Sequence, residues 1–175
     1  LFIASSDVKT AFDKMKHKHI RMSLLEKNAG TEETWLTMRE LCGVKVELDL
    51  PGATNPEPFD MEMAGVQGGV NTPDKWNCLL ESTVEPLAMH WNNCQYGVAC
   101  GDQWVNHLIF ADNIFLLSEN MDDLITMQTE LSYVLQDVDL PWKPESLFVM
   151  AVGVADTDRA DMITYCGPRV NKHVC

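Results

Sequence analysis

The chain opens on an apolar run, Leu1-Phe2-Ile3-Ala4, that soon meets a carboxylate at Asp7. This pattern predicts a short buried strand over residues 1–7 that ends on an acid. Residues 13–28 set Met15, Ile20, Met22, Leu24 and Leu25 among charges at helical spacing, and Gly30 is expected to stop that helix. Thr31 reads as the cap of a second helix, with Glu32 and Glu33 in its first turn and Trp35, Met38 and Leu41 on one face. Gly43 ends it. Residues 44–50 and 59–63 alternate in polarity, predicting two strands of a hairpin around the Pro- and Gly-containing loop 51–58.

A glycine-rich turn, Gly65-Val66-Gln67-Gly68-Gly69, precedes Thr72-Pro73-Asp74, which joins a cap, a proline and an early acid. The helix it starts carries Trp76, Leu79, Leu80, Val84, Leu87 and Trp91 at helical spacing, and Pro86 predicts a kink or an early end. Residues 103–118 place two apolar runs, QWVNHLIF and IFLLS, around Ala111-Asp112-Asn113. They predict a β-hairpin at the centre of a sheet, covered on both faces. A further amphipathic helix is capped at Asn120, buries Leu124, Met127, Leu131, Val134, Leu135 and Val138, and ends before Pro141 and Pro144. Residues 147–154 predict a last strand, and residues 155–175 give no clear pattern. The fold class is α+β, with helices on one face of an antiparallel sheet.

Composition alters this picture in one respect. The formal charge is −13, and it is uneven: residues 1–45 balance to +2 and the rest to −15. An acidic body does not draw in phosphates by its general field, so nucleic-acid contact would fall to the basic segment Lys14, Lys16, His17, Lys18, His19 and Arg21, or to other parts of a larger protein. Such a run is more often the solvated start of a helix. No apolar run reaches the roughly 18–20 residues of a membrane span, and no basic leader precedes the first strand. The abrupt entry into a strand suggests a chain cut from something longer. Six cysteines, at 42, 78, 94, 100, 166 and 175, form no CxxC pair. They read as buried free thiols of an intracellular protein, nucleus or cytoplasm left open. His90, Cys94 and Cys100 as zinc ligands are the alternative.

The chemistry rests on Asp7 and Asp112, each at the end of an apolar strand. Either alone is ordinarily a solvated turn acid. On neighbouring strands, the two could hold a pair of divalent ions about 3.5–4 Å apart, the arrangement for in-line displacement at phosphorus. Mg²⁺ commonly takes one or two protein carboxylates plus substrate phosphates.

Four segments together resemble the non-LTR (LINE-type) retrotransposon reverse transcriptases. Asp7-Val8-Lys9-Thr10-Ala11-Phe12-Asp13 is similar to their D-x-x-x-A-F-D motif, and residues 64–73, AGVQGGVNTP, to their G-V-R-Q-G-D-x-x-S-P segment. Phe110-Ala111-Asp112-Asn113 resembles F-A-D-D, and residues 140–150, LPWKPESLFVM, resemble G-L-x-L-N-x-x-K-T. The resemblance implies a reverse-transcriptase palm over residues 1–150, with a partial fingers segment at about 20–62 and an unassigned extension at 151–175. It implies RNA-directed DNA polymerisation with two Mg²⁺ ions, Mn²⁺ being the alternative, on an RNA or DNA template-primer and a dNTP. It implies further domains of a larger polyprotein and no membrane.

Residue by residue, the resemblance makes Asp7 and Asp112 the metal-binding and catalytic acids, with Asn113 beside them. It puts Phe12 under the sugar, and Gln67 and the Gly68 main chain on the incoming nucleotide. Three positions depart from the family pattern. Asn113 replaces a second aspartate and offers a metal only a neutral carbonyl. Val66 replaces a basic residue. Ser146 stands where the family has a lysine, with Lys143 three residues earlier as the candidate substitute in substrate binding. Two other readings stay open: a catalytically inactive palm remnant, at most a weak interaction module, and an unrelated α+β domain.

Overall fold

The computed structural model describes residues 1–46, 58–64 and 71–153. In chain order the elements are β1 (Phe2–Asp7), α1 (Ala11–Lys14), α2 (His17–Glu26), α3 (Thr31–Cys42), β2 (Lys45–Val46), β3 (Phe59–Asp60) and α4 (Thr72–Asn93). There follow β4 (Val98–Cys100), β5 (Gln103–Val105), β6 (His107–Phe110), β7 (Asn113–Ser118), α5 (Met121–Asp137), a 3₁₀ turn (Pro144–Ser146) and β8 (Phe148–Ala151). They divide into two units: residues 1–9 with 83 onward, and residues 10–82.

The first unit is built on an antiparallel sheet of order β6-β7-β1-β8. Alternation along β1 buries Phe2, Ala4 and Ser6 on one face. Across the ladders that face continues into Ile114, Leu116 and Ser118 of β7 and Val149 and Ala151 of β8, all buried. Helix α5 packs against β1 and β7 and buries Leu124, Met127, Leu131 and Leu135. Each such side chain taken from water contributes about 1.5–3 kcal/mol. As the sequence predicts, Asn120 caps this helix, its side-chain oxygen accepting from the Asp122 N–H at 2.8 Å.

The hairpin is not central, as its apolar strands suggest. Strand β7 is interior, but β6 is an edge strand on which Leu108 and Phe110 are 55% and 77% exposed. The run QWVNHLIF also breaks at Asn106. That side chain is buried and donates to Asn92 Oδ1 at 2.7 Å, which satisfies it at the break. The residues before the break pair instead as β5 with β4, a hairpin the polarity pattern did not announce. Gly97 in its approach has a φ of 131°, and a Cβ there would lie 2.8 Å from the Val105 carbonyl.

In the second unit, the helix expected over residues 13–28 is broken after Lys14. Buried Met15 is extended, and its carbonyl accepts from the Ala64 N–H at 3.0 Å. Lys16 bridges to Met63. Helix α3 has Gly30 as its cap, with Thr31 already inside, and it buries Thr34 and Leu41. Trp35 lies exposed under the Arg39 guanidinium, 5.3 Å from its ring centroid. The expected pairing of β2 with β3 is present, with Lys45 opposite Asp60.

Helix α4 runs for 22 residues through Pro86 without ending there. Proline removes one hydrogen bond, but Trp76, Leu79, Leu80, Val84 and Trp91 are buried on both sides of it and keep the helix whole. Among the described residues no helix is long and apolar enough to cross a membrane.

Candidate functional site

Asp7 is the last residue of β1 and lies on the face opposite the buried one. Its Cα partner on β7 is Asn113, the residue after the two-residue hairpin loop Ala111-Asp112. The Val8 N–H donates to the Asp112 carbonyl at 2.9 Å, which fixes the hairpin tip beside the end of β1. The strand ends thus bring Asp7, Asp112 and Asn113 together. Ala111 makes the turn at a φ of 53°, in the left-handed region.

On the other side of Asp7 lies the segment after α5. The Lys9 N–H donates to the Pro141 carbonyl at 2.9 Å, and Val8 bridges to Trp142. The Lys143 N–H donates to the Asp7 carbonyl at 2.9 Å, and the Asp7 N–H donates to Ser146 Oγ at 2.9 Å. Ser146 Oγ in turn donates to the Lys143 carbonyl at 2.7 Å. Lys143 Nζ sits 3.5 Å from Asp7 Oδ2. The serine at the family's lysine position is therefore a main-chain partner of Asp7, while Lys143 supplies the positive charge. Residue types alone carried no signal for the role of Ser146.

The Asp7 carboxylate is poorly satisfied. Oδ1 is enclosed and has no hydrogen-bond donor. Burial, then the charge of Asp112 and a hydrogen bond shared with it, raise the Asp7 pKa above the usual carboxylate range, and Lys143 pulls it back down. Neighbouring carboxylates repel one another, and a cation between them relieves that repulsion. Asp7 and Asp112 are the residues that could hold a divalent ion, with the Asn113 amide oxygen as a neutral donor. Two carboxylates fall short of a full protein cage. Among the described residues no group of three or more His, Cys, Asp or Glu side chains is arranged to hold a metal.

The other predicted residues are placed as follows. Phe12 belongs to the second unit, where its ring tilts against Trp76 at 5.7 Å between centroids. Gln67 and Gly68, with the whole 65–70 turn, lie outside the described residues. The basic segment is not one solvated stripe. His17 is buried, with Nε2 3.1 Å from the Ala64 carbonyl, while Lys18 and Arg21 are exposed. Among the described residues the thiols are not buried as expected: Cys42, Cys94 and Cys100 are exposed and Cys78 is half-buried, while Cys166 and Cys175 lie outside the described residues. Cys94 does meet His90, with Sγ 3.8 Å from Nε2, but the two form no zinc set.

No family model matches the chain. Over 153 residues it is 26% identical to the Retrovirus-related Pol polyprotein from type-1 retrotransposable element R2 of Nasonia vitripennis, covering 87% of this chain and 14% of that protein. The chain therefore spans about one seventh of the curated relative it matches. Among solved structures it resembles the telomerase of Candida tropicalis in complex with a fragment of telomeric RNA, with a TM-score of 0.67 and 11% identity, over 89% of this chain and 27% of that one. The apo telomerase of the same species, truncated from its C-terminal domain, gives a TM-score of 0.64 and 11% identity over 89% and 31%. The Candida albicans telomerase complex gives 0.63 and 9% over 89% and 27%. The fold is thus of the reverse-transcriptase type, an α+β arrangement of antiparallel sheet and helices. In sequence the chain is similar to a retrotransposon polyprotein of that kind.

Proposed function

We propose that this chain is the catalytic palm, with a partial fingers segment, of a LINE-type retrotransposon reverse transcriptase, joining nucleotides with two Mg²⁺ ions. The observation that carries the reading is the pairing of Asp7 and Asp112 at adjacent strand ends, with the enclosed Asp7 Oδ1 lacking a donor. A hard divalent ion suits two hard carboxylates, and triphosphate oxygens and water fill the rest of its shell. Asp7 and Asp112 hold the ions, which supply charge stabilisation at the reacting phosphorus. Lys143 faces the phosphates, Gln67 and the Gly68 main chain meet the nucleotide, and Phe12 lies under its sugar. The relatives, a Pol polyprotein and a telomerase bound to RNA, support a nucleic-acid partner, and the reading adds a template-primer and a dNTP within a longer polyprotein.

A second reading, an inactive remnant of the same fold, is favoured by one observation. Asn113 puts an amide where the family pattern has an acid. Nucleotide binding separates the two. A fluorescent dNTP titrated with and without Mg²⁺ is expected to bind only with the ion, and at least tenfold more weakly in Asp7→Asn. Ion-independent binding, or none, rejects the polymerase reading.

A further inference from the structure

Two hydrogen bonds and one ion pair join Asp7 to the turn that precedes β8, and two more hydrogen bonds tie that turn together. The Asp7 N–H and C=O are both taken, by Ser146 Oγ and by the Lys143 N–H. The Lys143 carbonyl accepts twice, from Ser146 Oγ at 2.7 Å and from the Ser146 N–H at 2.9 Å. The ring closes through one hydroxyl that both accepts and donates. Strand β8 leaves β1 after the Ser5–Phe148 pair, so the Asp7 N–H has no ladder partner of its own. Ser146 fills that vacancy, and in doing so sets the start of the Lys143 side chain beside the carboxylate. Lys143 Nζ then pairs with Asp7 Oδ2 at 3.5 Å, while Oδ1 stays without a donor.

We infer that Ser146 is a positioning residue. Its hydroxyl fastens the Lys143 turn to the Asp7 main chain and keeps the Lys143 ammonium at Asp7, as a resident counter-charge that an incoming divalent ion displaces. The second half rests on the proposed two-metal reading; the first does not. The ammonium and the ion compete for one carboxylate edge. The displaced lysine stays tethered within reach of the phosphates that accompany the ion. Ser146 touches neither substrate nor ion and acts only through Lys143 and the Asp7 main chain.

Two measurements separate the halves. Acetylation of Lys143 by an N-hydroxysuccinimide ester, mapped by mass spectrometry, reads how firmly the ammonium is held. Because Lys143 is half-exposed, Ser146→Ala and Asp7→Asn are expected to speed its reaction by only about two- to fivefold. Ser146→Thr keeps the native rate, since it retains the hydroxyl. Ser146→Cys, nearly isosteric with a weaker thiol, moves in the same direction should the alanine variant fail to fold. Mn²⁺ binding, followed by electron paramagnetic resonance, reads the competition. Lys143→Met is expected to bind the ion several-fold more tightly than the native chain. Ser146→Ala tightens binding in the native background and adds nothing in Lys143→Met. Unchanged acetylation in Ser146→Ala overturns the inference whatever the ion does, and an additive double variant overturns action through Lys143. Failure of the native chain to bind Mn²⁺ overturns the polymerase site and the displacement, and the acetylation result still decides the positioning.

Discussion

Asn113 stands directly opposite Asp7 across the β1–β7 ladder, so their side chains share one face of the sheet. Residues so opposed hold their Cβ atoms about 4.5–5.5 Å apart, and like charges there are destabilising. The amide therefore spares this face a third carboxylate beside Asp7 and Asp112.

The variant Asn113→Asp should expose that trade. Without a divalent ion it is expected to lose about 0.2–1 kcal/mol of stability, because a new charge faces an already under-satisfied Asp7. With millimolar Mn²⁺ the order reverses, since the ion binds three acids more tightly than two and stabilises by mass action. Urea unfolding with and without Mn²⁺ measures both. Equal stabilities under both conditions would show that residue 113 does not share the ion's face.

The hairpin tip carries a second prediction. Ala111 holds a φ of 53°, which a β-branched residue tolerates poorly. Ala111→Val is expected to cost about 1–3 kcal/mol, while Ala111→Gly stays within about 1 kcal/mol of the native chain. Because the tip bonds to Val8 through the Asp112 carbonyl, the valine variant should also weaken ion binding. A stable valine variant with unchanged ion affinity argues against a fixed tip.

His107 gives the fold a pH dependence. Burial lowers its pKa below the ordinary value of 6.5, and its ring meets Trp91 edge-on with Nδ1 2.7 Å from Asn106 Oδ1. The fold favours the neutral imidazole. Its contribution is therefore complete above about pH 6.5, and it is lost as pH falls from there through the lowered folded value. The stability gap between the native chain and His107→Gln should narrow from pH 7.5 to pH 5, the carboxylates cancelling in the difference. A gap independent of pH would contradict the half-buried neutral ring.

Much of this fold was legible because strong periodicity coincided with one buried face. Leu124, Met127, Leu131 and Leu135 of the α5 stripe and its Asn120 cap read directly, though Val134 and Val138 are only half-buried, and so did the two strand ends that carry Asp7 and Asp112. Polarity misled where it does not report neighbours. The apolar β6 looked interior, yet it is an edge, because the number of strands beside it is a property of topology and not of its own residues. Asn106 broke the run through a side-chain bond to the end of α4, which no strand periodicity encodes. The β4–β5 hairpin had a faint signal, Gly101-Asp102 between two short runs, with Gly101 at a φ of 62°. Ser146 had none, since Asp7, the partner that gives it a role, lies 139 positions away in the chain.

The last prediction concerns catalysis itself. These 175 residues alone are expected not to extend a primer at a useful rate, and Asn113→Asp is not expected to rescue them. Two carboxylates can recruit the ion, but metal is one term among several. Positioning two substrates can account for about 7–11 kcal/mol of a barrier. The chain matches 14% of its curated relative, so most of the surface that grips a template-primer is expected outside it. The residues present work against such a grip: the −15 balance beyond residue 45 repels phosphates, most strongly at low salt. A carboxylate at 113 strengthens ion binding, adds one more negative charge and supplies no clamp. Primer extension with Mg²⁺ and with Mn²⁺ compares the native chain, Asn113→Asp and Asp7→Ala. No extension by any of them, alongside ion-dependent nucleotide binding by the native chain, is the expected result. Extension by the native chain that is lost in Asp7→Ala would show the site complete and the clamp dispensable, because only the carboxylate would then separate an active chain from an inactive one.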